Sequence, residues 1–433
     1  MRGRRTVFRA RMHRGLTVFV AAWPSSGITT AQKLGLLAAA IIWATPVYAM
    51  GSISDLFTGS VSFKINAHAE IKVSQERVLP AGSVPVRVTW TPDGSMIIAA
   101  TTWGGELQAW DKSGSQVGAV VRAGNRMTSQ IAAVGSKGLV AFPIAEDGGD
   151  DVYLNVWDVL NNRLVKKLTP EYKDNKGIIS EFSIASNGSL LAIQVGATEG
   201  GHRYGTIVAY DTATWKRLRT IKLPSDHHEM VGFDSIVFVP NGHKILGAGY
   251  DGSIYGVDLD SGVVTKLISP YATSFPDGAS TSAVVYALAV SPDGSKYMAA
   301  LGVGGIIDTS SDIAGKNVKS YKQYENEGNS WIKSVPELQI WKTSDNSFVA
   351  AYPDRGITTV RASAWDPLDR FIAFTDSERN LLLWQPNAID SKATEIDLPD
   401  TASSIAFDPT GDHLAVTTNS SIIVFRITQV GEE

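Results

Sequence analysis

Val86–Asp111, VRVTWTPDGSMIIAATTWGGELQAWD, is the stretch that decides the fold. Val86–Trp90 is a short strand-like run that stops at Thr91-Pro92-Asp93-Gly94. Proline presets φ and glycine accepts positive φ, so these residues form a tight turn. Met96–Thr101 follows as a continuous apolar run, the pattern of a strand covered on both faces. Glu106–Trp110 alternates, and Val117–Arg122 supplies a fourth strand. The stretch therefore opens a four-strand unit whose first two strands are joined by a very short turn.

The outline returns along the chain. Ile131–Val134 and Leu139–Phe142 flank Gly135-Ser136-Lys137-Gly138, and Val152–Trp157 ends beside Asp158. Ser186-Asn187-Gly188-Ser189, Pro240-Asn241-Gly242, Ser291-Pro292-Asp293-Gly294, Asp366-Pro367 and Asp408-Pro409-Thr410-Gly411 mark the same turn in later units. Seven units at a period of roughly 40–50 residues, the fifth stretched by an insertion, predict an all-β seven-bladed propeller. An isolated unit would expose two apolar faces, and stacking in a ring covers both. The seventh unit ends with three strands, Ser404–Phe407, His413–Thr417 and Ser421–Arg426. The lone strand Glu70–Leu79 is expected to complete it and close the ring.

The endings Trp110-Asp111 and Trp157-Asp158, with Tyr210-Asp211 close to them, resemble the WD-repeat family over about residues 70–428. Later units end differently, in Val257-Asp258, Trp341-Lys342, Trp384-Gln385 and Phe425-Arg426. The Ser-Pro-Asp-Gly turns resemble those of divergent propellers in bacterial envelope proteins. The resemblance implies a binding platform without chemistry of its own.

Residues 1–33 form a basic leader. Seven Arg and Lys residues precede residue 34, and no Asp or Glu occurs before Asp55. Leu34–Met50, LGLLAAAIIWATPVYAM, carries no charge. It reads as a signal peptide cut after Ala49, or as a single membrane anchor at the short limit for spanning about 30 Å. An organelle import signal is the third reading. The basic side stays in the cytoplasm, which puts the propeller at a bacterial inner membrane facing the periplasm, or free in the periplasm after cleavage. Residues 51–69 read as a linker and 429–433 as a tail. Without the leader the chain keeps 32 basic and 43 acidic side chains, a net charge of −11. So acidic a body is a poor partner for phosphate backbones, and no nucleic acid is expected. The chain has no cysteine, which excludes disulfides and thiolate chemistry.

With strands lettered a to d from the axis outward, the a–b turns are short and the b–c loops are not. Glu146–Asp151, Ala197–Gly205 and Gly302–Pro336 lengthen b–c connections, and Pro170–Gly177, Pro224–Gly232 and Ser269–Ser282 lengthen d–a connections. Both kinds emerge on one face. This one-sided growth over units two to five predicts a protein-binding face. Arg203, Tyr204, Tyr250, Tyr321, Tyr324 and Trp331 are its candidate contact residues, since aromatics and Arg suit protein recognition.

The alternative is a propeller enzyme with metal-assisted hydrolase or lyase chemistry at the channel mouth. His202, His227 and His228, with Glu199 and Glu229, are the zinc candidates, and Tyr250 and Asp251 lie on a neighbouring loop. No HExxH spacing supports them. Glu146, Asp147, Asp150 and Asp151 are oxygen ligands without a calcium-loop spacing. No Gly-x-Ser-x-Gly, phosphate loop or dinucleotide motif occurs, so no cofactor is expected.

Overall fold

The computed structural model describes residues 70–430, apart from 82–83, 102–105, 123–129, 135–137, 146–151, 170, 173–174, 177, 200–201, 225–231, 241, 250, 270–271, 275–278, 309–337, 353–359, 377–378 and 387–392. The strands of this region form seven antiparallel sheets and a two-stranded ribbon. Blade one pairs Pro85–Trp90, Met96–Thr101, Glu106–Asp111 and Val121–Arg122. Blade two pairs Ala132–Ala133, Leu139–Ala145, Val152–Asp158 and Arg163–Leu168. Blade three pairs Ile178–Ile184, Leu190–Glu199, His202–Asp211 and Arg217–Lys222. Blade four pairs Phe233–Phe238, Lys244–Gly249, Ile254–Asp258 and Val264–Ile268.

Blade five pairs Ala279–Val290, Lys296–Asp308, Leu338–Lys342 and Phe348–Tyr352, with Ala272–Ser274 added beside the first. Blade six pairs Ala362–Trp365, Ile372–Thr375, Asn380–Trp384 and Thr394–Asp397. Blade seven pairs Ala402–Phe407, His413–Thr418 and Ser421–Val430, and its outer strand is Glu70–Pro80 from the other end of the chain. The a strand of blade seven lies beside those of blades six and one, which closes a seven-bladed propeller.

The core is divided as the geometry demands, one apolar layer for each of the seven gaps between blades. The b strands sit inside these layers. Met96–Thr101 is buried at every position, as its unbroken apolar run implies. The layer between blades seven and one joins Ile422 and Val424 to Trp90, Ile97 and Trp110, and it takes Leu79 from the outer strand.

The a–b turns are built alike. The Gly94 amide donates to the Thr91 carbonyl at 2.7 Å, and Gly294 to Ser291 at 2.8 Å. A buried side chain at the turn's first residue accepts from the amide that starts strand b: Thr91 Oγ1 from Met96 (3.1 Å), Ser291 Oγ from Lys296 (2.9 Å) and Asp408 Oδ1 from His413 (3.0 Å). Gly411 has φ +76°, and a Cβ there would stand 2.8 Å from Asp366 Oδ1 of the next blade, so only glycine fits. Asp366 itself is fully buried and held by Arg370, Nε to Oδ2 at 2.9 Å and Nη2 to Oδ1 at 3.0 Å. Arg370 also donates to the Gly411 carbonyl, which ties blade six to blade seven. The aspartates of the Trp-Asp endings cap the c–d turns. Asp111 Oδ1 accepts from the Ser113 hydroxyl and from the amides of Ser113 and Ser115. The Ser113 bond, ahead of the others, holds its carboxyl below the usual range.

Several elements differ from the sequence expectation. The d strand of blade one shrinks to Val121–Arg122 and the a strand of blade two to Ala132–Ala133. Ala197–Gly205 is for the most part not a loop. Strands b and c of blade three run on past strand d, pairing Ala197 with Tyr204 and Glu199 with His202. Pairing this long is cooperative and local, so a hairpin outlasts its blade at little cost. Strand b of blade five continues through Asp308, pairing Ala279 with Asp308, so the long insertion starts as sheet. Glu171–Tyr172 and Asn175–Lys176 make a small ribbon inside the Pro170–Gly177 connection. The last strand reaches Val430, two residues into the expected tail.

Leu79→Ala should remove about 3 kcal/mol of stability, because it opens a void in the layer that joins the two chain ends. Arg370→Met should cost about 3 kcal/mol or more by stranding the buried Asp366 carboxylate. Urea titration followed by Trp fluorescence measures both.

Candidate functional site

The a strands start at the loop-rich face and reach their turns at the other. Each turn's first residue donates its amide across its own turn, which marks one depth around the ring. The pairs are Thr91 to Met96, Val134 to Leu139, Ala185 to Leu190, Val239 to Lys244, Ser291 to Lys296, Asp366 to Phe371 and Asp408 to His413. Four residues upstream of these stand Arg87, Gln130, Glu181 and Ser235, then Ala287, Ala362 and Ser404. One step further stand Val86, Ser180, Asp234, Tyr286, Arg361 and Ser403. The register slips between the two levels in blades one, three, four, five and seven, so the upper residue is the extra one of a β-bulge. In blade six the Arg361 amide and Ala362 both address Thr375. Bulges re-aim side chains, and here they repeat at one height around the axis.

The lower level stitches neighbouring blades together. Val88 donates its amide to Ser404 Oγ at 3.2 Å, Leu288 to Ser235 Oγ at 3.2 Å, and Phe182 to Gln130 Oε1 at 3.1 Å. Gln130 then turns its Nε2 donor to the Glu181 carboxyl. Arg87 Nη1 donates to the carbonyls of Ser403 (2.8 Å) and Val86 (3.1 Å).

These side chains sense one another across the axis. Burial pushes the Glu181 carboxyl up to about 8; the charge of Arg87 and the Gln130 bond pull it down, and the charge of Asp234 pushes it further up. Burial also raises Asp234. Burial lowers Arg87, with Glu181 acting against it. Arg87 and Glu181 belong to blades one and three, with blade two between them. Side chains from such blades come within electrostatic reach at the axial channel that a propeller encloses. All three groups are half-buried, packed by protein yet touched by solvent. A perturbed carboxyl within electrostatic reach of a guanidinium on the inner strands marks a candidate site.

None of the residues singled out from sequence is one of these inner-strand groups. His202, Arg203 and Tyr204 lie on the extended hairpin of blade three, and their side chains lie outside the described residues. His227, His228, Tyr250, Tyr321, Tyr324, Trp331 and the acidic run 146–151 also lie outside them, as does Leu34–Met50. Asp251 is described, and it serves packing. It accepts from the Tyr255 hydroxyl at 2.8 Å and pairs with Lys266 at 3.1 Å. His243 pairs with Asp260, and His413 lies between Glu76 and Asp408 at the ring closure. Among the described residues no three His, Asp or Glu side chains form a metal-holding group, and no helix is long and apolar enough to cross a membrane.

No family model matches this chain, and no curated protein matches it in sequence. The propeller therefore stands on the strand pairing and on the blade layers alone.

The axial residues escaped the motif search because none belongs to a motif. Their signal is positional. A charged residue four or five places before the turn interrupts an a strand otherwise built of apolar and small residues.

Glu181 sets a pH dependence whose sign follows from its raised titration. The folded protein holds this proton up to about 8, whereas the unfolded carboxyl releases it near 4.5. Stability from this group is complete below the lower value and is lost as pH rises through the higher one. Glu181→Gln should therefore lose less stability than the parent between pH 5 and pH 8. Urea midpoints at the two pH values check this, and equal losses would refute the assignment.

Proposed function

We propose that this chain is a non-catalytic, WD-repeat-like propeller that binds a protein partner through the face carrying the extended hairpins. The observation that carries the reading is the one-sided growth of the blades. The Glu171–Lys176 ribbon, the tip of the blade three hairpin and the overlong strands of blade five all rise from the ends where b–c and d–a connections emerge. The opposite face has tight turns closed by their own side chains. A rigid ring with elaboration on one side suits recognition by surface complementarity. Arg203 and Tyr204 on the blade three hairpin, Tyr321, Tyr324 and Trp331 in the blade five insertion, and Tyr250 between strands b and c of blade four are the proposed contacts.

The basic, acid-free leader and the uncharged Leu34–Met50 support export, with the propeller held at a bacterial inner membrane on the periplasmic side, or released after Ala49. Glu70 lies at the short-turn end of its strand, paired with Val430.

Replacing residues 309–336 with a short Gly-Ser linker should leave the thermal midpoint unchanged, because the blade five pairing of Lys296–Ala300 with Leu338–Lys342 survives. The same change should sharply reduce recovery of partners in crosslinked pull-downs from membrane extracts. Recovery equal to that of the parent would overturn the reading.

A further inference from the structure

The charges of the bulge ring are arranged by sign. Glu181 and Asp234 come from blades three and four. Arg361 and Arg87 come from the strand starts of blades six and one, which flank blade seven. In a closed ring of seven, blade seven stands opposite the boundary between blades three and four. One wall of the channel therefore carries two carboxyl groups, of which Glu181 holds its proton up to about 8, and the facing wall carries two guanidiniums.

The opposed charges do not satisfy one another. Among the described residues Arg87 donates to backbone carbonyls and meets no carboxylate at ion-pair distance. Glu181 is bonded to the neutral Gln130. Asp234, Arg361 and the Tyr286 phenol have no side-chain hydrogen bond or ion pair among the described residues. Arg361 is exposed, and Tyr286 is 40% exposed although it sits on an inner strand. A salt-bridge network built only for stability would bring these groups into contact. Here they are held apart by a rigid ring, with a phenol at the side to donate or accept.

We propose that the upper mouth of the channel binds a short zwitterionic peptide, its carboxylate toward Arg361 and Arg87 and its ammonium toward Glu181 and Asp234. A linear molecule with an ammonium at one end and a carboxylate at the other matches a channel with carboxyl acceptors on one wall and guanidiniums on the facing wall. An anion alone would face two carboxyls, and a cation alone would face two guanidiniums. Both contacts are charge-assisted hydrogen bonds, the strong kind. The side chains of the peptide point to neither wall, so selection falls on the termini and on the length between them. The site opens on the same face as the extended hairpins, but Arg87, Glu181, Asp234 and Arg361 are not among the contacts proposed there, so the two readings are tested separately.

The test is thermal shift and calorimetry on the full chain with alanine, dialanine, trialanine and tetraalanine, each with free termini. At least one member of the series should bind and raise the melting midpoint. Its N-acetylated and its C-amidated forms should each bind roughly tenfold or more weakly. Asp234→Asn and Arg361→Gln remove groups without side-chain partners among the described residues. Each should weaken the unblocked peptide by a similar factor; Arg361→Gln should leave the unliganded midpoint unchanged, and Asp234→Asn should not lower it, because burial disfavours the ionised Asp234. No binding by any member of the series would overturn the proposal. Equal binding of the blocked forms, or undiminished binding by both variants, would overturn it as well. Loss of partner capture in the loop replacement would leave peptide binding intact, so the two readings fail separately.

Discussion

The pairing of Glu70–Pro80 with Ser421–Val430 is the constraint on which the rest of this structure depends. A ring of sheets has no free face only if its last gap is closed, and this gap is closed by strands from the two ends of the propeller sequence. The closing strand does two things at once. It satisfies the edge of Ser421–Val430, and through Leu79 it supplies side-chain volume to the layer between blades seven and one. Removing it would leave an unpaired strand edge and an open apolar layer, the two liabilities a propeller exists to avoid. The His413 imidazole between Glu76 and Asp408 adds a polar link at the same seam.

Closure also explains why the axis can carry charge. Apolar layers between blades hold the inner strands in place, so polar groups on those strands need not contribute to the core. Backbone amides on the open inner edge of the a strands find side-chain acceptors on the neighbouring blade, beside the bulges, as Val88 finds Ser404 and Phe182 finds Gln130. The bulge is thus both a joint between blades and a device for re-aiming the adjacent side chain. Arg87, Glu181, Asp234 and Arg361 all occupy these two positions. Their separation by sign around the ring makes the channel mouth the most chemically distinctive part of the described molecule.

The two faces of the ring have different tasks. On one, serine, threonine and aspartate side chains close turns upon themselves, and a buried Asp366–Arg370 pair locks blade six to blade seven. On the other, hairpins outgrow their blades. Sheet that continues past its neighbours carries its own hydrogen bonds outward. The backbone of blades three and five therefore runs on beyond the pairing of its neighbouring strands.

Much of the fold was legible in the sequence, because blades repeat and each repeat announces its turn. The Pro-Asp-Gly-type turns, the continuous apolar b strands and the leftover strand at residue 70 predicted seven units and their closure, since local chemistry governs all three. The Trp-Asp pairs were visible too, and their aspartates proved to be turn caps. Other features were not legible. Nothing local says that Ala197–Gly205 continues a hairpin, because its pairing is decided by the strand across from it. Nor does any motif mark Arg87, Glu181, Asp234 and Arg361 as residues of one level of the inner strands, for they lie as much as 274 positions apart. By itself the sequence determined the repeat, the strand order and the acidic balance of the body, all of which rest on short-range pattern and composition. Only the tertiary structure decided which residues meet at the axis. That depends on closing the ring, and closure is a property of all seven blades together.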